Sequence, residues 1–173
     1  MRKVFLLSII FCSVLVSCNA KGLPYEKRIP LANYSYDEPS DYNNIDYKDY
    51  TTSISSNELV NKINNDESFV VYFYSEGCHY CHEVKPLFIR YICEKDFVIN
   101  TLEVNSESES YAYIKDTLCT NFPTVFEDIY TPYFYFFLEG EKVAQKGLTQ
   151  EQRKDYRLFK EFLDGYVKPL ETN

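Results

Sequence analysis

Two unbroken apolar runs dominate the chain: Phe69-Val70-Val71-Tyr72-Phe73-Tyr74, and Tyr133 to Leu138. Alternating polar and apolar positions would mark strands with one wet face. Continuous runs of this length mark strands covered on both faces, as at the centre of a sheet packed between helices. Phe97 to Val104 reads as another buried strand. After the turn Glu139-Gly140-Glu141, Lys142 to Lys146 reads as a short antiparallel partner for the 133–138 strand. Elsewhere the period changes to that of a helix. Ser55 and Glu58 have capping-box spacing ahead of Leu59, Val60 and Ile63, and order is expected to begin near Ser55. Val84, Leu87, Phe88, Tyr91 and Ile92 recur on one helical face. Tyr111 to Cys119 is expected to be helical. Thr149 and Gln152 are expected to cap a last helix carrying Tyr156, Phe159, Phe162, Leu163, Tyr166 and Val167 on one face. Strands separated by helices imply parallel pairing through right-handed crossovers, with the final hairpin as an antiparallel edge. The expectation is one α/β domain over residues 54–173, a mixed sheet flanked by helices, with no internal repeat.

The N-terminal pattern is of another kind. Arg2 and Lys3 precede an almost continuous apolar run from Val4 to Val16, too short for a comfortable membrane span of about 20 residues. The run ends in Leu15-Val16-Ser17-Cys18, which resembles the lipobox of bacterial lipoproteins. That resemblance implies a signal peptide over residues 1–17, cleavage after Ser17 and lipidation of Cys18. Two or more acyl chains, at roughly 0.8 kcal/mol per buried methylene, make a durable anchor. Residues 18–53, with Pro24, Pro30, Pro39, many Asn and Asp and six tyrosines, show no apolar periodicity and read as a tether. About 35 such residues span about 30 Å as a flexible coil.

Composition narrows the function. The 173 residues carry a formal net charge of -8, so a basic surface for nucleic acid is not expected. Aromatic residues make up 17% of the chain, and hydrophobic residues 45%, enough for a packed core. An exported chain can keep disulfides, so both redox chemistry and structural bridges are open to its cysteines.

Cys78-His79-Tyr80-Cys81 stands where the buried 69–74 strand ends and a helix begins. Free amides and the helix dipole at such a terminus favour a thiolate. Cys81, one turn on, falls near the face of Val84 and Phe88. Geometry therefore makes Cys78 the exposed, attacking thiol and Cys81 the sheltered, resolving one. A positive His79 would add to thiolate stabilisation; a solvated loop residue is the equal alternative. His82 is expected in the exposed first turn.

These residues resemble thioredoxin. A buried strand leads into the CxxC motif, and Pro86 falls eight residues after Cys78, where the family has a helix-kinking proline. Thr131-Pro132 precedes a strand and the Gly140 turn, as the family's cis-proline does. Lys160-Glu161-Phe162-Leu163-Asp164 looks like its final helix. Pro123 is a rival for the cis position, but no central strand follows it. The resemblance implies thiol–disulfide exchange with protein substrates and a redox partner protein. It also implies that Thr131 and Pro132 hold the substrate chain. No cofactor or metal is expected, and the domain is expected to be a monomer. Three positions depart from the family. Gly77 stands where it usually has Trp, Tyr72 where it has a buried acid, and Thr101 where it has that acid's Lys partner. The segment from Asn105 to Pro132 is longer than usual and is expected to cap the active-site face or restrict substrates.

Other readings share the motif. Cys78-His79-Tyr80-Cys81-His82 matches the c-type haem pattern, but past the signal the chain has no Met and only His79 beside His82, so a common second axial ligand is missing. A zinc site would need a second ligand pair that the isolated Cys93 and Cys119 do not form. The motif could instead be a structural disulfide in a non-catalytic binding module. Cys93 and Cys119 are open to either a second disulfide or two separate thiols.

Overall fold

A computed structural model describes residues 49–95 and 98–171. The signal, Cys18 and the tether as far as residue 48 lie outside the described residues. The elements in chain order are β1 (Thr52–Ser53), α1 (Ser56–Asn64), β2 (Phe69–Tyr74), α2 (His79–Glu94), β3 (Asn100–Glu103), α3 (Tyr111–Asn121), β4 (Tyr133–Leu138), β5 (Glu141–Gly147) and α4 (Tyr156–Glu171). The five strands form one sheet in the order β1-β3-β2-β4-β5.

β2 lies at the centre with every residue buried, which is why its sequence is apolar on both faces. Its odd positions, Phe69, Val71 and Phe73, join Leu59 and Ile63 of α1, Ile114 and Leu118 of α3, and Tyr135 and Phe137 of β4 in one core. Its even positions, Val70, Tyr72 and Tyr74, face Val84, Phe88 and Tyr91 of α2, Phe134 and Phe136 of β4, and Phe159 and Leu163 of α4 in the other. Full burial of a large apolar side chain contributes on the order of 2 kcal/mol, so these two layers hold the sheet in place.

Strand direction corrects one expectation. β1, β3 and β2 are mutually parallel, but β4 runs antiparallel to β2 although α3 precedes it. The antiparallel part is thus two strands, β4 and β5, rather than one edge. The domain also starts earlier than the spacing of Ser55 and Glu58 suggests. Thr52 and Ser53 pair with Asn100 and Thr101 of β3, and Tyr50 and Thr51 are buried, so residues 50–53 belong to the fold rather than to the tether. These residues are too few to show a period.

The helix ends follow side-chain chemistry. Ser55 and Glu58 make the reciprocal capping box of α1. Thr149 and Gln152 exchange the same pair of bonds, but around a preceding turn: the helix begins at Tyr156, and the Asp155 carboxylate accepts from the Leu158 amide. Gly140 closes the β4–β5 hairpin at φ 74°, and a Cβ there would lie 2.6 Å from the Ile63 carbonyl oxygen. Both facts require glycine.

Candidate active site

The parallel strands β3 and β2 end together at Glu103 and Tyr74, and α2 starts at that end. Cys78 is its N-cap: its backbone is extended, and its sulfur accepts the Cys81 amide at 3.2 Å. A small polarisable acceptor at this position meets one of the free amides that open any helix. The Cys78 amide donates to the Ser75 carbonyl at 3.1 Å, which closes the turn between β2 and α2. Both thiols are free; Cys78 is half-buried and Cys81 is 2% exposed. Burial pushes the Cys81 thiol up to about 12, with the hydrogen bond and the charge of Cys78 acting in the same direction.

Opposite Cys78 stands the entrance to β4. The Thr131–Pro132 peptide is cis, and the Thr131 carbonyl oxygen lies 3.7 Å from the Cys78 sulfur, which donates to it. Sequence-remote residues 78 and 131 thus meet at the end of the sheet. A CxxC at the helix start, a cis-proline loop facing it and the strand order β1-β3-β2-β4-β5 form a single arrangement. The chain has the thioredoxin fold.

No family model matches the chain, and no curated protein matches it. Among solved structures it is similar to the J-Trx1 fragment of ERdj5, at 20% identity and a TM-score of 0.47, over 70% of this chain. It spans 55% of that fragment, little more than half its length. It is also similar to thioredoxin f2 of Chlamydomonas reinhardtii (14% identity, TM-score 0.47, 66% of this chain and 94% of that one). Thioredoxin O2 of Arabidopsis thaliana gives 17% identity and a TM-score of 0.46 over 68% of this chain and 95% of that one.

Within this thioredoxin fold the departures from the family sequence take physical form. Tyr72 is fully buried, its ring 4.6 Å from Phe134 and 4.8 Å from Phe88. Thr101, its cross-strand neighbour, hydrogen-bonds through Oγ1 to the Thr51 hydroxyl at 2.9 Å. An aromatic layer and a hydroxyl pair therefore stand where the resemblance would place an acid and its lysine. Gly77 has open space where a side chain would begin. His79 is exposed, and its Nε2 lies 3.5 Å from Glu83, one turn along α2. His82 is also exposed, with Nε2 2.8 Å from the Glu76 carbonyl oxygen. Among the described residues no group of three or more His, Cys, Asp or Glu side chains is placed to hold a metal ion.

Two residues around the motif carry no local sequence signal. Arg153, in the turn before α4, donates from Nε to Glu83 at 3.2 Å and from a terminal nitrogen to the Leu148 carbonyl at 3.0 Å; its guanidinium lies 4.2 Å from the Tyr80 ring centre. It braces the exposed Tyr80 and, through Glu83, His79. Asp128 is the hub of the loop before Thr131. Its Oδ1 accepts from Tyr111 Oη at 2.8 Å, from Lys115 Nζ at 2.9 Å and from the Ile129 amide at 2.8 Å. The hydrogen bonds from Lys115 and Tyr111 hold its carboxyl down at about 2.

The long segment between β3 and β4 does not cap the redox face with its helix. α3 packs on α1 through Ile114 and Leu118, on the sheet face away from α2. Only its last residues reach Cys78. Cys119 is a free thiol packed on the α1–α3 side. The side chain of Cys93 lies outside the described residues. Cys119 is pushed up by burial. At the C-terminal ends of β1 and β3 a groove lined by Glu58, Glu76, Glu103, Glu107 and Glu109 opens. Glu58 and Glu109 are engaged there by the amides of Ser55 and Ser56.

Proposed function

We propose that this protein is a membrane-anchored, extracytoplasmic thiol–disulfide oxidoreductase acting on protein dithiols and disulfides through Cys78 and Cys81. The observation that carries the reading is the unequal pair at one helix start. One sulfur is half-buried, at the N-cap and against the cis-proline loop; the other is buried, with its thiol pushed up to about 12.

In the reducing direction the Cys78 thiolate attacks one sulfur of a substrate disulfide. The substrate S–S bond breaks, the departing thiolate takes a proton, and a mixed disulfide remains on Cys78. Cys81 then attacks the Cys78 sulfur, the second substrate thiol leaves, and the protein holds an intramolecular disulfide after giving up two electrons. Two of the three causes that hold the Cys81 proton are the hydrogen bond and the charge of Cys78. Both are lost once the Cys78 sulfur is tied up in the mixed disulfide. Burial then holds the Cys81 thiol up against the Ser75 and Thr131 hydrogen bonds, which lower it. The reverse steps oxidise a substrate dithiol. The Thr131 carbonyl, beside the attacking sulfur, offers an extended substrate backbone an acceptor.

Cys81→Ser is expected to stop the reaction at the mixed disulfide, which accumulates as a covalent adduct released by dithiothreitol. If the variant turns over like the wild type, the mechanism is wrong. A structural disulfide with no redox role is the competing reading, and a reduction potential below about -300 mV would favour it.

The anchor rests on Arg2, Lys3, the apolar run and Ser17-Cys18. Mass spectrometry of the mature protein is expected to find Cys18 as the first residue, carrying acyl chains. An unmodified Cys18, or any other first residue, would remove the anchor from the proposal.

A further inference from the structure

The loop that delivers Thr131 has no regular structure to hold it. Between the end of α3 at Asn121 and the start of β4 at Tyr133 the chain must place one carbonyl oxygen against the Cys78 sulfur. Its fixed points are few. Phe126 and Ile129 are buried, whereas Tyr130 is 55% exposed. Asp128 is bound on both sides: its carboxylate takes Tyr111 and Lys115, which lie one turn apart on the same face of α3. Its own carbonyl accepts the Tyr135 hydroxyl of β4 at 3.5 Å, and its carboxylate also folds back onto the Ile129 amide. Only Ile129 and Tyr130 separate this anchor from Thr131.

We propose that Asp128 is a positioning residue for substrate recognition: it ties the cis-proline loop to α3 and so fixes the Thr131 carbonyl that a substrate backbone engages. The inference rests on the thiol–disulfide reading above and names the residue that sets its preference for polypeptide substrates. A disulfide in an extended polypeptide uses the loop, and a small disulfide with no backbone does not. Asp128 touches neither Cys78 nor Cys81 among the contacts of this structure, so it acts through Thr131 alone.

The test compares two disulfides on the full-length protein, insulin as the polypeptide and hydroxyethyl disulfide as the small one. Asp128→Ala is expected to raise KM for insulin roughly ten-fold, the factor for losing one hydrogen bond to a charged group, with kcat nearly unchanged. The rate with hydroxyethyl disulfide stays within about two-fold of wild type. Asp128→Asn keeps an acceptor for Tyr111 and Ile129 and is expected to recover most of the insulin KM. Tyr111→Phe removes one donor, leaves the carboxylate in place, and is expected to raise the insulin KM roughly three-fold; it carries the test if Asp128→Ala does not fold. Parallel losses with both disulfides, or an unchanged insulin KM in Asp128→Ala or, if that variant does not fold, in Tyr111→Phe, would overturn the proposal. Failure of the wild type to reduce either disulfide would instead sink the oxidoreductase reading.

Discussion

Serine at position 78 is expected to lower thiol–disulfide exchange by more than about 1,000-fold, although Cys81 keeps its sulfur. The reason is the division of labour between the two thiols. Cys81 is 2% exposed, and its thiol is held up at about 12. So weakly acidic a thiol is almost wholly protonated at pH 8. It is also screened by the residues packed around α2, so it can attack only a sulfur already delivered to it. The replacement removes the Cys78 contributions to the Cys81 value but leaves burial, the largest. Two measurements check this: insulin reduction, and alkylation by iodoacetamide followed by peptide mapping. The wild type is expected to be labelled at Cys78 well before Cys81, and Cys78→Ser to show no comparably fast site at the motif. Fast labelling of Cys81 in that variant, or residual turnover within ten-fold of wild type, would contradict the assignment.

Tyr72→Asp is expected to destabilise the domain by about 4 kcal/mol or more, enough to abolish a marginal fold. The substitution installs the family's acid but in the wrong surroundings. Tyr72 is fully buried between Phe88 and Phe134, and its ring also stacks on Tyr74 at 6.0 Å. Truncation to Asp removes those contacts and leaves a cavity, and the carboxyl gains Thr101, a hydroxyl already bonded to Thr51, as its cross-strand neighbour in place of a lysine. Urea unfolding followed by far-ultraviolet circular dichroism measures the loss. A midpoint close to wild type would mean that the core tolerates an acid there, and that the aromatic layer is not what excludes it.

Much of this architecture could be read along the chain, for reasons that differ by element. β2 and β4 are legible to the residue because burial on both faces demands continuous apolar side chains. The start of α1 is legible because its cap is local: Ser55 and Glu58 bond to each other's backbone. Thr149 and Gln152 make the same bonds and still do not open a helix, because Asp155 supplies a competing cap just upstream of Tyr156. The direction of β4 was not legible. An intervening helix usually returns a strand parallel, and only the pairing of Phe134 with Tyr72 across the sheet reveals the reversal. At the site, the CxxC declares itself through spacing and context. Asp128 and Arg153 do not, because their roles depend on partners brought in by the fold: Tyr111, Lys115 and Tyr135 for one, Glu83 and Tyr80 for the other.

The short strand β1 gives the domain a polarity. It runs parallel to β3 and β2, and Cys78 stands beyond the C-terminal ends of those strands. The chain therefore enters the sheet from the opposite pole, beside the buried Tyr50. Under the proposed anchoring, the point of attachment and the reactive sulfur lie at opposite poles of the sheet, so the chain's own entry does not crowd Cys78 or the cis-proline loop.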